Sequence, residues 1–245
     1  ASFTIALDAM GGDNAPAIVV KGADLARRRF PGIRFRMFGD EARILPMMKR
    51  RKRLREITEI CHTDDVISNE MTVSVALRKG RQSSMQLAIN DVREGEAAGV
   101  VSAGNTGALM AMAKLSLRTL PGIDRPAIAA IFPTIRGESV MLDLGANVEC
   151  DAENLVQFAI MGEVFARTVL GTVDPTCGLL NVGSEEKKGH AEIQQAAATL
   201  REMSGVFNFH GFVEGDDIAA GITDVIVSDG FTGNIALKTT EGTAR

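Results

Sequence analysis

Val101-Ser102-Ala103-Gly104-Asn105-Thr106-Gly107 and Val227-Ser228-Asp229-Gly230-Phe231-Thr232-Gly233 are two copies of one pattern, V-S-x-G-x-T-G. Each follows β-branched residues (Val100 and Val101; Val225, Ile226 and Val227) and leads into a helix-like run, ALMAMAKLSL or NIALKTTEG. The pattern predicts strand, tight glycine turn and helix start, twice over. Backbone N–H groups at a helix N-terminus have no partner within the helix, and the helix dipole adds partial positive charge there. An anion, phosphate first, is therefore expected near Gly104–Gly107 and Gly230–Gly233, with both turns aimed at one region. The plainer alternative is a pair of turns that join strand to helix and bind nothing.

The same grammar recurs. FTIALDAMGGDNAP is an apolar strand ending in Asp8, then Gly11, Gly12 and Asn14, then Pro16 in a position suited to a first helical turn. ESVMLDLGANVECDAENLVQFA reads as a strand ending near Asp143, then Gly145 and Asn147, then an amphipathic run. CGLLNVGSEEKKGHAEIQQAA reads as a strand reaching Asn181, a charged loop and a helix. Alternating β and α patterns predict an α/β protein: three layers, α/β/α, around a largely parallel sheet. In such sheets ligands gather at the carboxyl ends of the strands. The length suffices for one large domain, the reading adopted over residues 1–245, or for two smaller lobes.

Composition narrows the function classes. The 245 residues are 45% hydrophobic and 24% charged, ordinary for a globular protein. Tyr and Trp are absent and the net charge is −4, which speaks against nucleic acid as a partner. Cys61, Cys150 and Cys177 are far apart and form no C-x-x-C pair, as expected for a reduced, cytoplasmic setting. No signal-peptide pattern stands at the start, and the uncharged stretch 97–113 contains Gly104 to Gly107, so it reads as strand, loop and helix and not as a membrane span. Lys49-Arg50-Arg51-Lys52-Arg53, with Arg55 behind, is either a solvated helix end or a docking patch for an acidic protein or an anionic membrane.

No nucleophile is well set up. G-x-S-x-G, a Walker A loop and G-x-G-x-x-G are all missing. Cys150 sits between Glu149 and Asp151, whose charges would raise its pKa, so it reads as structural. His62, His190 and His210 have no metal-ligand spacing, and neither a metal nor a cofactor is expected. Lys187-Lys188-Gly189-His190 falls in the loop after the Asn181 strand, where lysines gain weight. Acyl transfer onto phosphate is one reaction that needs only glycine turns, amides and a lysine. The phosphate is itself the attacking group, and the protein holds it against a carbonyl and stabilises the oxyanion.

LDAMGGDNAP, HTDDVI, ALRKGRQSSM, VSAGNTGALMAMA, LDLGANV, NVGSEEKKGHAE and VSDGFTGNIALKTTEGTA together resemble the PlsX family of bacterial phosphate acyltransferases, the acyl-ACP:phosphate transacylases. The likeness runs nearly end to end and in the same order. It implies a fold like that of isopropylmalate dehydrogenase and phosphotransacetylase. It also implies transfer of a fatty acyl group from acylated acyl carrier protein to inorganic phosphate, giving acyl-phosphate for phospholipid synthesis. Homodimers and peripheral membrane association are further family properties. By position, Lys188 matches the family's catalytic lysine and Asn234 its catalytic asparagine. Lys188 is assigned to the phosphate or the developing oxyanion, and Asn234 to the carbonyl oxygen. Asp8, Gly12, Asn14, Gly104, Asn105, Thr106, Gly107, Asn147, Gly230, Thr232 and Gly233 follow as substrate- or phosphate-binding candidates.

Thr243-Ala244-Arg245 falls within a helical pattern, whereas family members continue through several more helices. The reading is thus a catalytic domain without the family's C-terminal helices. The alternatives are a short-chain phosphotransacetylase that uses acyl-CoA, or a non-catalytic module that binds an acidic partner through residues 49–55. A metal-dependent decarboxylating dehydrogenase would need several inward carboxylates, and Asp229 alone is too little.

Overall fold

The computed structural model describes residues 2–243. Ala1, Ala244 and Arg245, at chain ends that the sequence reading drew on, lie outside them. The chain divides into two compact units, Ala1–Arg118 and Thr119–Arg245. The break falls just before Pro121-Gly122, the clearest interior interruption in the sequence.

The first unit runs β1 (Phe3–Asp8), α1 (Ala17–Arg29), β2 (Ile33–Gly39), α2 (Glu41–Met48), α3 (Lys52–Arg55), β3 (Thr58–His62), α4 (Val73–Lys79), α5 (Ser84–Arg93), β4 (Gly99–Val101) and α6 (Thr106–Leu117). Its sheet has the order β3-β2-β1-β4 and is parallel throughout. Successive strand residues face opposite sides, so Ile33, Phe35 and Met37 of β2 pack with Val20, Ala23, Ile44 and Leu54 from the first three helices. Phe38 and Ala6 turn the other way, against Ala88 of α5. The chain moves from β1 outward to β2 and β3, then crosses back to β4 on the far side of β1. The β1/β4 boundary is therefore the topological switch point of this sheet.

The second unit runs β5 (Ala129–Thr134), β6 (Gly137–Leu142), α7 (Ala152–Phe165), β7 (Cys177–Leu180), α8 (Ala191–Glu202), β8 (Phe209–Val213), α9 (Gly215–Ala220), β9 (Val225–Val227) and α10 (Gly230–Thr243). The strand order is β5-β6-β9-β7-β8, with β5 antiparallel to β6 and the other pairs parallel. Val140, Leu142, Val225 and Val227 pack on one face with Phe158 and Ala159 of α7 and Leu200 of α8. Met141 and Ile226, one residue out of phase, pack on the other with Ile218 of α9 and Ala236 and Leu237 of α10. That is helix, sheet, helix in section, as the alternating sequence pattern predicts.

All five strands read from the sequence are present: β1, β4, β6, β7 and β9. Four more, β2, β3, β5 and β8, were not part of that reading. β2 carries Arg34 and Arg36, β3 and β8 lie at sheet edges, and β5 is an antiparallel edge strand. β2, β3 and β8 lack the uninterrupted apolar run that marks a strand buried on both faces, and the apolar run of β5, Ala127 to Phe132, is broken by Pro133.

Phe158 is 0% exposed at the centre of the second unit's larger cluster. Phe158→Ala should therefore cost about 3–5 kcal/mol, the range for a large core truncation. Urea denaturation followed by circular dichroism checks this, and a loss under about 1 kcal/mol would show that the cluster does not carry the unit.

Candidate functional site

Asp143 closes β6 with a carboxylate that is 0% exposed. Its Oδ1 accepts hydrogen bonds from the N–H groups of Ile128 (2.9 Å), Gly145 (3.2 Å) and Ala146 (3.0 Å). Its Oδ2 accepts from the Asn147 N–H (2.7 Å) and the Asn147 side-chain amide (2.8 Å). Five donors on one buried charge convert the Gly145–Asn147 loop into a fixed platform. Asn147 then passes the order on: its carbonyl accepts from the Gly230 N–H at 2.7 Å, where α10 begins. The same side chain also donates to the Pro126 carbonyl (2.9 Å). Asn147 is thus a strut of the loop, and its side-chain amide N–H groups are committed within the fold.

In the second V-S-x-G-x-T-G turn, three backbone N–H groups are engaged within the chain. The Gly230 N–H is taken by Asn147, the Thr232 N–H by the Asp229 carboxylate at 2.8 Å, and the Gly233 N–H by the Asp229 carbonyl at 3.0 Å. The Thr232 hydroxyl also donates to Asp229, at 2.8 Å. A carboxylate already occupies the positive end of α10, so this turn is not an open anion cradle. Its glycines serve packing. A Cβ on Gly230 would lie 2.5 Å from the Asn147 carbonyl oxygen, and one on Gly233 would lie 1.9 Å from the Asp143 carbonyl oxygen. Three residues apart, they share the helix face that rests on the platform.

One turn further along α10, Asn234 is exposed. Its side-chain amide donates to the Leu144 carbonyl at 3.0 Å, while its Oδ1 has no partner among the described residues. Gly145, at φ 130°, makes room: a Cβ there would stand 3.1 Å from Asn234 Nδ2. Lys188 lies in the loop between β7 and α8, with its side chain exposed and unpaired among the described residues. That loop is held from below by Asn181, whose amide donates to the Lys188 carbonyl at 3.1 Å, and by Gln194, which donates to the carbonyls of Lys187 (3.1 Å) and Gly189 (3.1 Å). Gly189, at φ 86°, is obligatory, because a Cβ would fall 2.1 Å from Asn181 Oδ1. The sequence reading names Asn181 only as a strand end and gives Gln194 no role. Their part is visible once loop and helix are folded together.

β7 and β9 are adjacent and parallel, as are β6 and β9, so the loops bearing Lys188 and Asn147 and the helix bearing Asn234 all follow the carboxyl ends of strands in one sheet. Beside them lies a cleft of about 780 Å³ whose walls include Arg125, Cys150, His190, Asp229 and Phe231. The Cys150 thiol is pushed up to about 11 by burial, partly opposed by a hydrogen bond from the Gly230 backbone and reinforced by the charges of Asp143 and Asp229. The sequence reading of Cys150 as a weak nucleophile agrees in direction, but the cause is burial and two spatial neighbours, not Glu149 and Asp151.

The first unit repeats the device. Asp8, 1% exposed at the end of β1, accepts from the hydroxyls of Ser84 (2.6 Å) and Ser102 (2.7 Å), and Ser102 in turn accepts from the Gly104 N–H (3.1 Å). Asp8 is therefore an organiser of the loops, not a free ligand group. Gly12, at φ 92°, lies against the Ala103 carbonyl, 2.7 Å from where its Cβ would be. Asn105 caps α6 by accepting from the Ala108 N–H (3.0 Å), and its amide donates to the carbonyls of Met71 (2.9 Å) and Asn69 (3.1 Å). This side chain, too, is spent on the fold. Thr106, Gly107 and Asn14 are exposed, and the N–H groups of Thr106 and Gly107 have no partner among the described residues. The first turn thus retains the open N–H pair that the second has lost.

Among the described residues, Asp40, His62 and Asp64 form a group with metal-ligating atoms within 4.8 Å of one another. Asp40 is occupied in capping α2, and His62 Nδ1 accepts from the Glu41 N–H at 3.2 Å. Nothing further marks the group as a metal site.

A family model described as a fatty acid synthesis protein matches residues 3–245. The phosphate acyltransferase of Rhodospirillum centenum is 65% identical over 243 residues, covering 99% of this chain and 68% of the relative. The chain belongs to the phosphate acyltransferase family. The phosphate acyltransferase of Rhodospirillum rubrum is 61% identical over 244 residues, covering 100% of this chain and 70% of the relative. Among solved structures, a phosphotransacetylase from Streptococcus pyogenes superposes with a TM-score of 0.75 at 17% identity, over 99% of this chain and 82% of that one. At that identity the likeness speaks for the fold alone, and the fold is the one the family resemblance implies.

Two outcomes test the site's construction. Asp143→Ala leaves five donors unpaired beneath the platform and should destabilise the protein by about 3 kcal/mol or more. A variant that unfolds at the wild-type urea midpoint would refute the platform. Cys150 should alkylate with a rate that rises toward pH 11, and a thiolate already formed at neutral pH, read by iodoacetamide labelling and mass spectrometry, would contradict its burial.

Proposed function

We propose that this chain transfers a fatty acyl group from the thioester of an acylated acyl carrier protein to inorganic phosphate. One oxygen of hydrogen phosphate attacks the thioester carbonyl carbon and forms a tetrahedral oxyanion. The C–S bond then breaks, the sulfur leaves with the phosphate's proton as a free thiol, and the acyl-phosphate is released. The observation that carries the proposal is the placement of Lys188 and Asn234. Lys188 stands on the loop after β7 and Asn234 near the start of α10 after β9, beyond the carboxyl ends of adjacent parallel strands, in a chain of the phosphate acyltransferase family.

Lys188 has a cation without an internal partner, suited to hold phosphate or to meet the oxyanion. Asn234 keeps one N–H beyond the one given to Leu144, suited to the carbonyl oxygen. With the end of α10 closed by Asp229, the phosphate site in this unit rests on the Lys188 loop and not on the helix terminus. The open N–H pair of Thr106 and Gly107 is the first unit's candidate for anion contact. A place in phospholipid synthesis, a homodimer and a cytoplasmic protein that touches the membrane surface belong to the same reading, supported by the family resemblance. No described helix is long and apolar enough to cross a membrane.

The reaction is tested by incubating acylated carrier protein with and without phosphate and looking for acyl-phosphate. Thioester cleavage that does not depend on phosphate would defeat the proposal. Lys188→Ala should lower kcat by about 10²–10³, the range for losing one oxyanion donor, with an unchanged melting temperature. Near wild-type turnover in a folded variant would remove Lys188 from the mechanism.

A further inference from the structure

The basic run at residues 49–55 is only half of what the fold assembles. α1 ends in Arg27, Arg28 and Arg29, and the first unit brings Arg27 and Arg28 to the same basin as Lys49, Arg50, Arg51, Lys52 and Arg53. The basin has a volume of about 440 Å³, and Asp24 is the sole carboxylate in its wall. Asp24 is already paired with both α1 arginines, with Arg27 Nε at 2.7 Å and Arg28 Nη2 at 2.9 Å. Lys49, Arg50, Arg51, Lys52 and Arg53 have no salt-bridge partner among the described residues. Arg51 differs from the rest: it is half-buried and its guanidinium donates to the Met47 carbonyl, closing the end of α2. The plainer explanation, a solvated helix end, accounts for cations on one short helix. It does not account for two segments more than twenty residues apart that bring seven cations and a single carboxylate to one hollow.

We propose that this basin is the docking surface for an acidic protein, the carrier that delivers the thioester, a step that rests on the function proposed above. The neighbouring apolar residues argue for a protein in preference to a bilayer. Met48 and Leu54, which flank and interrupt the run, are 1% and 0% exposed, so the segment 49–55 turns no apolar side chain outward for insertion into lipid. A concave basin lined by charged residues receives a convex acidic helix, whereas a flat headgroup layer meets only its rim. The carboxylates of such a partner would supply the counter-charges that the chain itself does not. Steering of this kind raises the encounter rate by about 10- to 10³-fold and falls steeply with ionic strength.

The test is Arg50→Glu, Lys52→Glu and Arg53→Glu combined, which reverses three exposed cations and leaves Arg51 in place. KM for acylated carrier protein should rise about tenfold at an ionic strength of about 0.01 M, where the Debye length is about 30 Å. The rise should shrink to about two- to threefold at about 0.15 M, where the Debye length is about 8 Å. Turnover at saturation and KM for a neutral acyl-pantetheine thioester should both stay within about twofold of wild type, since that substrate needs no protein surface. Binding of a fluorescently labelled carrier protein without an acyl group, read by anisotropy, should weaken in parallel. An unchanged KM and unchanged anisotropy for the carrier would overturn the proposal, as would equal losses on carrier and pantetheine substrates. Loss of binding to phosphatidylglycerol vesicles with carrier KM intact would overturn it in favour of a lipid site. If the wild type binds labelled carrier through this basin yet makes no acyl-phosphate from its thioester, docking stands and the proposed reaction falls. The milder Arg50→Gln/Arg53→Gln pair should give a smaller change in the same direction, which separates lost charge from a damaged fold.

Discussion

One buried carboxylate holds the second unit's site together. Asp143 gathers five hydrogen bonds from Ile128, Gly145, Ala146 and Asn147 at 2.7 to 3.2 Å. A charge at this depth is tolerable only when its lone pairs are met by donors, and bonds to a charged acceptor contribute about 1.5–3 kcal/mol each. The Gly145–Asn147 loop has to wrap the carboxylate to satisfy it. The start of α10 and Asn234 are referred to that wrapped loop: Asn147 receives the first N–H of α10, Leu144 receives Asn234, and Gly145 leaves space for the asparagine amide.

The same solution is built twice. In each unit an aspartate closes a strand, Asp8 on β1 and Asp143 on β6, and the neighbouring parallel strand ends in the V-S-x-G-x-T-G pattern. The serine of the pattern faces the aspartate in both: Ser102 donates to the Asp8 carboxylate at 2.7 Å, and Ser228 exchanges backbone hydrogen bonds with Leu142 and Asp143. What differs is which variable position of the pattern supplies the helix cap, the fifth in the first copy (Asn105) and the third in the second (Asp229). Asn105 caps α6 with a neutral amide oxygen, whereas Asp229 caps α10 with a carboxylate. A neutral cap leaves the helix's positive end available to an anion, and a charged cap neutralises it. The two copies therefore have the same architecture and different electrostatics.

Cationic groups are likewise separated by purpose. Lys188 is a cation without a side-chain partner among the described residues, on a loop whose backbone is pinned by Asn181 and Gln194, which fixes where its side chain begins. The basin of the first unit gathers several cations with little internal compensation. A cation on a held loop suits contact with a small anion, and a field of cations suits long-range attraction of a large one.

The alternation of apolar runs, polar strand ends and glycine turns was enough to determine the α/β class, five of the strands and the helices that follow them. Those signals are local: period-two and helical patterns depend on neighbours in the chain. The family likeness, carried by blocks such as DAMGGDNAP and DGFTGN, was also legible without a structure. Tertiary structure alone decided which polar groups remain free. Asn105 and Asn147 have the composition of ligand groups, yet their amides are used up by carbonyls distant in sequence, at Met71 and Asn69 in one case and Pro126 in the other. Gly230 and Gly233 have the spacing of an anion cradle, yet they are small because a carbonyl of Asn147 or Asp143 lies where a side chain would go. A residue's type states which bonds it can make. Whether those bonds are still available depends on partners that only folding brings within about 3 Å.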